Sequence, residues 1–474
     1  MRSERVSSGV ILLSVFFLEA CGSSSITPNN SPAPAGSAPV SLVMRDTPPS
    51  GVTVLSFEIS VLSATLNSSG GNAPLITGDP IRVEVEHLQI ENAFLDTTKV
   101  PAGTYDSITV TFANPEMTIL NNSGAAIGTC ANGAKCELTP TLNPASVTFT
   151  GAPFPLTITA NLPAGLLLDF NLNNSIQSDL SVAPAITFTQ LTVKPGQDGQ
   201  EGEVEEIDDV KGQITAVDAT NSTITVQDNY SGQSFTAKVD SDTEIEGFDE
   251  IGLPNSFSSL QVGQIVELGL MLLSDGTFKA KKVELKLQDD ADQNQLEGMV
   301  VAIDSPTEFK MVLEDEAPDD VGIEVGNVLT VTIQSGAAFQ IETDGITLPS
   351  TVTFQSSADL LVGQGVQIRT PSGNLATAVT TDQVTLRRTQ TTATVLATSG
   401  VNFTVSDLTS LFTNAVPPIT QIDVMTTPQT KFEDVSDATG LKVGDVVSLR
   451  GLLFKTAANP LLVADSVYKR EAED

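Results

Sequence analysis

Three segments in the last half of the 474-residue chain repeat one arrangement: an apolar entry, a Val-Gly turn and a strand-patterned exit. They read LQVGQIVELGL from Leu260, LLVGQGVQIRT from Leu360 and LKVGDVVSLRG from Leu441, and their glycines Gly263, Gly363 and Gly444 lie 100 and 81 residues apart. Glycine is expected at such turns, where φ is positive or two backbones crowd. Each segment is followed by a closing strand (FKAKKVELKL, ATAVTTDQVTL, LLVADSVYKR), and each unit opens with a related one (KGQITAVD, LEGMVVAID, TTATVLATS). About five strands in roughly 75–95 residues fit a small closed or partly open barrel of the OB type. The expected units are 210–287, 295–388 and 389–470.

On these turns and strands the repeats resemble domain of unknown function family 5666, with the first and third copies nearest its pattern. The second departs, with Gly365 in place of an aliphatic residue and Thr370-Pro371 after the strand, so its edge pairing is expected to differ. Acidic stretches flank the units. PGQDGQEGEVEEIDD (195–209) holds seven acids and no base and reads as a charged, extended spacer, and 289–292 reads as a second solvated linker. Barrels so joined are expected to form a string of beads rather than a solenoid with one core.

Ahead of the repeats, 40–194 reads as one all-β unit. VSLVMRDTP, VTVLSFEISVLSATL, IRVEVEHL, YDSITVTF, PLTITANL, GLLLDFNL and AITFTQLTV are alternating or continuously apolar and bounded by turn residues. Seven or so short strands at this spacing predict a two-sheet sandwich. The order LVMRDTP, FEISVLSATL, KVPAGTYDSITVTF resembles the bacterial lipoprotein domain of unknown function family 4382. That resemblance implies that the turn from Pro101 to Tyr105 leads into a central strand; it implies no activity. The fold class expected is therefore all-β, an N-terminal β-sandwich followed by three tandem small OB-like β-barrels.

The first 20 residues read as an export signal: Arg2 and Arg5, an apolar run from Val10 to Leu18, then a small residue before Cys21. The run is too short to span a bilayer as a helix. Leu18-Glu19-Ala20-Cys21 resembles the bacterial lipobox, which implies that the Cys21 thiol is lipidated and becomes the new N-terminus. Residues 21–39, rich in Ser, Pro, Gly and Asn, form a flexible tether without apolar periodicity. Two or more acyl chains give stable attachment where one gives marginal binding. With Gly22 rather than aspartate after the cysteine, the resemblance points to the outer membrane of the cell envelope.

The formal net charge is −35, with 12 acidic and 4 basic residues from Gly22 to Gln190 and 44 and 17 from Leu191 to Asp474. Such repulsion opposes binding to anionic lipid heads and polyphosphates, and nucleic-acid binding needs basic patches that are missing here. Diffuse, weak divalent-cation binding is the second expectation of the acidic excess. With Cys21 lipidated, Cys130 and Cys136 are left as one pair closing CANGAKC, and a disulfide is expected. So short a loop removes on the order of 2 kcal/mol of unfolded-chain entropy, which pins a hairpin tip rather than a domain.

Nothing in the sequence marks a catalytic constellation, and no metal or cofactor site is expected. His87 is the one histidine; period two in IRVEVEHL carries it onto the Ile81-Val83-Val85 face, at the inward end of a strand. No G-x-S-x-G, H-E-x-x-H or P-loop occurs. Asp290-x-Asp292-x-Asn294 lacks the glycine and glutamate of a calcium loop, with Gln295 and Val301 at those positions. Carboxylate pairs are plentiful, but sugar clefts are usually lined by aromatics, and the chain has 20 Phe, 3 Tyr and no Trp. The expected function is non-enzymatic: a lipid-anchored envelope protein with a structural role or one in contact with another envelope protein or a glycan. A calcium-dependent adhesion module is the alternative, and a carboxylate hydrolase the third reading.

Overall fold

Residues 36–47, 52–90, 92–191, 206–228, 231–273, 276–286, 293–317, 321–343 and 345–470 are described by the structure, a computed structural model. The expected export signal, Cys21, most of 195–209 and the 289–292 linker lie outside them, as does the expected tether up to residue 35, while its residues 37–39 instead open the first strand of the sandwich, Ser37–Thr47. The strand Glu206–Asp218 begins inside the expected spacer, so the last four of its residues belong to the first barrel.

The first unit is the expected sandwich. One sheet runs Ile186–Leu191, Ala164–Asn171, Ser37–Thr47, Ala93–Pro101 in spatial order, with Ser37–Thr47 parallel to Ala164–Asn171. The other is built on two long antiparallel strands, Thr53–Asn67 and Ser107–Leu120, edged by four short ones. Alternation places Val40, Leu42 and Met44 of one sheet against Phe57, Ile59, Val61 and Phe112 of the other, all buried. Phe170 reaches across the core, its ring centroid 5.8 Å from Phe57 and 5.4 Å from Phe112. The turn from Pro101 to Tyr105 is closed by the Tyr105 hydroxyl donating to the Pro101 carbonyl at 2.9 Å, and it does lead into the central strand Ser107–Leu120. PLTITANL differs from expectation: Leu156–Ile158 pairs with Gly103–Tyr105 in a separate two-stranded ribbon.

Each repeat closes into a five-stranded ring whose strands follow the order 1-2-3-5-4 and back to 1, the third and fifth running parallel. The first ring uses Glu206–Asp218, Thr223–Asp228, Ser234–Lys238, Ile265–Leu272 and Phe278–Leu285. The second uses Gln293–Ser305, Glu308–Ala317, Val328–Ile341, Gly365–Pro371 and Ala378–Arg387. The third uses Thr389–Ser399, Asn402–Ser406, Ile422–Met425, Val446–Phe454 and Leu461–Lys469. The pairing of the second does differ. Its third strand is one long ribbon along the fifth, whereas the first and third barrels split it into a strand plus a short extra one, Glu244–Glu246 or Lys431–Glu433.

The Val-Gly turns explain why the repeat persists. Gly263, Gly363 and Gly444 have φ of 95°, 88° and 93°, the left-handed region that glycine adopts without penalty. Each donates its amide to the opening strand, at the carbonyls of Ile214, Val300 and Val395 (2.8, 2.8 and 2.9 Å). The next residue's carbonyl accepts from those same three residues. A side-chain oxygen of that residue then caps the turn: Gln264 accepts from the Gln261 amide, Gln364 from Leu361 and Asp445 from Lys442. Local hydrogen bonding therefore fixes the same turn three times.

The string of beads is overturned. Val43, Phe94 and Leu191, on the outer face of one sandwich sheet, are buried in the core cluster of the first barrel, with the Phe94 centroid 5.6 Å from Phe278. Leu55 and Leu120, on the outer face of the other sheet, are buried with Met299, Val301 and Val312 of the second barrel. Leu452, Phe454 and Val463 of the third barrel enter the core cluster of the second. Burying aliphatic and aromatic side chains on both outer faces of a sandwich contributes roughly 1.5–3 kcal/mol each, ample to outweigh the freedom of linked modules.

Candidate functional site

His87 does not end a strand. Ile81–Glu84 stops two residues before Glu86, and His87 lies in the 3-10 turn Glu86–Gln89, because Val85 has already turned to φ −74°, ψ −31°. Among the described residues no three His, Cys, Asp or Glu side chains are gathered so as to hold a metal ion. Cys130 and Cys136 are joined by a disulfide, their Cα atoms 5.9 Å apart, with Cys130 buried. The loop leads into Lys135–Leu138, an edge strand on Ser107–Leu120. From that strand Glu137 accepts the Val328 amide of the second barrel at 2.8 Å, and Thr118 beside it donates to the Gly326 carbonyl at 2.6 Å. The disulfide thus pins a strand that holds a neighbouring domain, a role larger than a hairpin tip.

Several polar contacts cross the domain junctions. Where the third barrel meets the sandwich, Arg470 donates to the Gln89 carbonyl at 2.7 Å, the Asp46 carbonyl at 3.4 Å and the Ser448 hydroxyl at 2.6 Å. Arg45 hydrogen-bonds the Tyr468 hydroxyl, and its guanidinium carbon lies 4.3 Å from the Tyr468 ring centroid. The Asp46 carboxyl is fully buried there. Burial pushes its pKa well up, and the nearby Arg470 charge opposes that rise. Between the first and second barrels, Lys211 pairs with Asp315 at 2.9 Å and Lys286 reaches Glu342 at 3.7 Å. Arg388 meets Asp465 at 2.9 Å between the second and third. None of these charges was placed by sequence pattern, because partners up to 424 residues apart carry no shared local signal.

Asp96 sits between the sandwich and the first barrel, beside a cavity of about 30 Å³ lined also by Asp79, Ser231 and Gln233. Burial pushes its pKa from 3.8 to about 6, against the lowering effect of the amides of Thr77 (3.1 Å) and Thr97 (2.7 Å). A carboxyl raised in the folded state favours folding fully below its unfolded pKa, and that contribution is lost as pH rises through about 6. The whole effect is on the order of 3 kcal/mol. In urea unfolding, the stability of the native chain relative to Asp96→Asn is expected to fall by about 2 kcal/mol between about pH 4 and about pH 8. A pH-independent difference would contradict this.

One open cleft, of about 220 Å³, lies on the third barrel between the hairpin of its first two strands and Leu461. Apolar side chains (Ala397, Phe403, Met425, Leu461) share its walls with Thr398, Ser399, Asn402 and Asp423, and Asp423 accepts the Thr404 hydroxyl at 2.9 Å. Asp423 is the one ionisable side chain among the residues lining it.

No curated protein matches the chain. Among solved structures, Drosophila Unr CSD456 aligns at 10% identity over 57% of this chain and 100% of its own, with a TM-score of 0.14. The family comparisons are more specific, and the two stretches matched by the second of them fall in the first and third barrels. The chain matches a domain of unknown function (DUF4382) at residues 37–185 and a second domain of unknown function (DUF5666) at residues 211–284 and 418–454.

Proposed function

We propose that this chain is a lipid-anchored protein of the bacterial cell envelope that works by contact with another envelope component, a protein or a glycan, and not by catalysis. The observation that carries the reading is the sequence from Val10 to Cys21, an apolar leader ending in Leu-Glu-Ala-Cys, followed by the Ser/Pro/Asn tether. The first strand of the sandwich begins at Ser37, so 15 residues separate the proposed lipid attachment at Cys21 from the folded body (22–36). An acidic body held that way is repelled by anionic headgroups, which keeps its docked domains off the membrane. The acyl chains supply the attachment.

Palmitate labelling in intact cells tests the anchor. The native chain is expected to incorporate label and to sediment with membranes, and Cys21→Ala to do neither. Equal labelling and fractionation of the two, or a mature chain in the cytosol with its leader uncut, would contradict the reading. Crosslinking in intact cells is expected to trap a defined envelope partner through the junction-free faces of the barrels.

A further inference from the structure

Two adjacent strands of the sandwich, Ser107–Leu120 and Lys135–Leu138, carry contacts to the second barrel, and the Cys130–Cys136 disulfide lies in the stretch between those contacts. On the first strand, Leu120 is buried with Met299, Val301 and Val312 of the barrel, and Thr118 donates to the Gly326 carbonyl. On the second, Glu137 accepts the Val328 amide, one residue after the disulfide-bonded Cys136. That strand has four residues and lies at the edge of its sheet, with Cys136 opposite Ile119. The loop is also bonded to the residue that follows Leu120. Asn121 is buried, donates its side-chain amide to the Cys130 carbonyl at 2.9 Å and its backbone amide to the Ala134 carbonyl at 3.0 Å. One covalent bond thus stands behind both strands that meet the second barrel.

We propose that this disulfide is a redox-sensitive latch: a dithiol reductant opens it, and the grip of the sandwich on the second barrel loosens while the sandwich stays folded. The two sulfurs are unequally placed, since Cys130 is buried and Cys136 is half-buried on the edge strand. A thiolate of the reductant attacks the Cys136 sulfur, the S–S bond breaks, and Cys130 leaves as a thiolate that takes up a proton. The second thiolate of the reductant then displaces Cys136 from the mixed disulfide, so the reductant ends as a disulfide and the chain gains two electrons and two protons. The freed Cys130 thiol has acceptors at hand, because the carbonyls of Ala131 and Ala134 lie 4.0 and 3.9 Å from its sulfur. Opening so short a loop returns little chain entropy, so the buried core of the sandwich survives it. A four-residue edge strand is drawn from the low-stability end of a fold, and the effect falls there. The inference does not depend on the lipid anchor.

The test is amide hydrogen exchange on the mature chain carrying Cys21→Ser, in which Cys130 and Cys136 are the remaining cysteines. Dithiothreitol is the reductant, and alkylation followed by mass measurement counts the thiols it frees. Reduction is expected to free both thiols without denaturant and to speed exchange of the Val328 amide about tenfold or more, with amides of Thr53–Asn67 unchanged. Glu137→Ala is expected to speed Val328 exchange to a similar degree with the disulfide intact, which ties the readout to this contact. Unchanged Val328 exchange after reduction would overturn the proposal. So would a loss of protection spread through Thr53–Asn67, or a disulfide that dithiothreitol opens only in denaturant.

Discussion

Replacing Arg470 with alanine is expected to cost about 3–5 kcal/mol, because it removes hydrogen bonds to Ser448, Gln89 and Asp46 and the charge that offsets burial of the Asp46 carboxyl. Asp46 is fully buried; one carboxyl oxygen accepts the Leu172 amide at 3.4 Å, and the other has no hydrogen-bond partner. The Arg470 charge offsets part of the burial penalty on an ionised Asp46, and the side chain also ties the end of the last strand to Asp46 and Gln89 of the sandwich. Without it the carboxyl is pushed further toward its protonated form. Because burial raises the folded-state pKa of Asp46, the lost stability is expected to shrink as pH falls and to grow as pH rises. Urea unfolding followed by circular dichroism across that range measures it, and Asp46→Asn in the Arg470→Ala background is expected to recover part of the loss. A pH-independent loss below about 1 kcal/mol, the size of a surface ion pair, would contradict the account.

The second large effect separates two glycines that the sequence presents as equivalent. Gly363→Ala is expected to destabilise by about 2–5 kcal/mol and Gly263→Ala by about 1–2 kcal/mol. Both sit at positive φ, so both substitutions carry the left-handed penalty of an L residue. Around Gly263 an added methyl meets nothing within 4 Å, whereas at Gly363 it runs into the ring of Phe412, itself buried at the junction of the second and third barrels. Thermal or urea unfolding of the two variants side by side gives the difference. Equal effects would mean that Phe412 is not packed on that turn.

These two positions also show how far the chain could be read before its fold was known. The turn glycines were legible because a positive φ is a local demand that leaves a residue type behind at each repeat. The strands of both domain types were legible for the same reason, since period two and turn residues are local. Docking was not. Val262, Val362 and Val443 are the same residue in the same motif, yet one is buried and two are exposed, and only the neighbour in space decides which. The strand Ala93–Pro101 was missed because its polar middle, Asp96-Thr97-Thr98, reads as a turn, although that strand carries Phe94 into the first barrel. Period two failed at His87 because Val85 leaves the extended region. The Cys130–Cys136 pairing followed from the expected export and from Cys21 being set aside for lipid, but the load it carries through Glu137 did not.

The central structural claim is that four domains dock into one body around the sandwich. Small-angle X-ray scattering of the mature chain in dilute low-salt solution tests it most directly. A docked body of about 440 residues is expected to have a radius of gyration near 22 Å, raised slightly by the tether, and a single-peaked distance distribution. A radius far above that, with separate shoulders at the spacing of independent barrels, would contradict it.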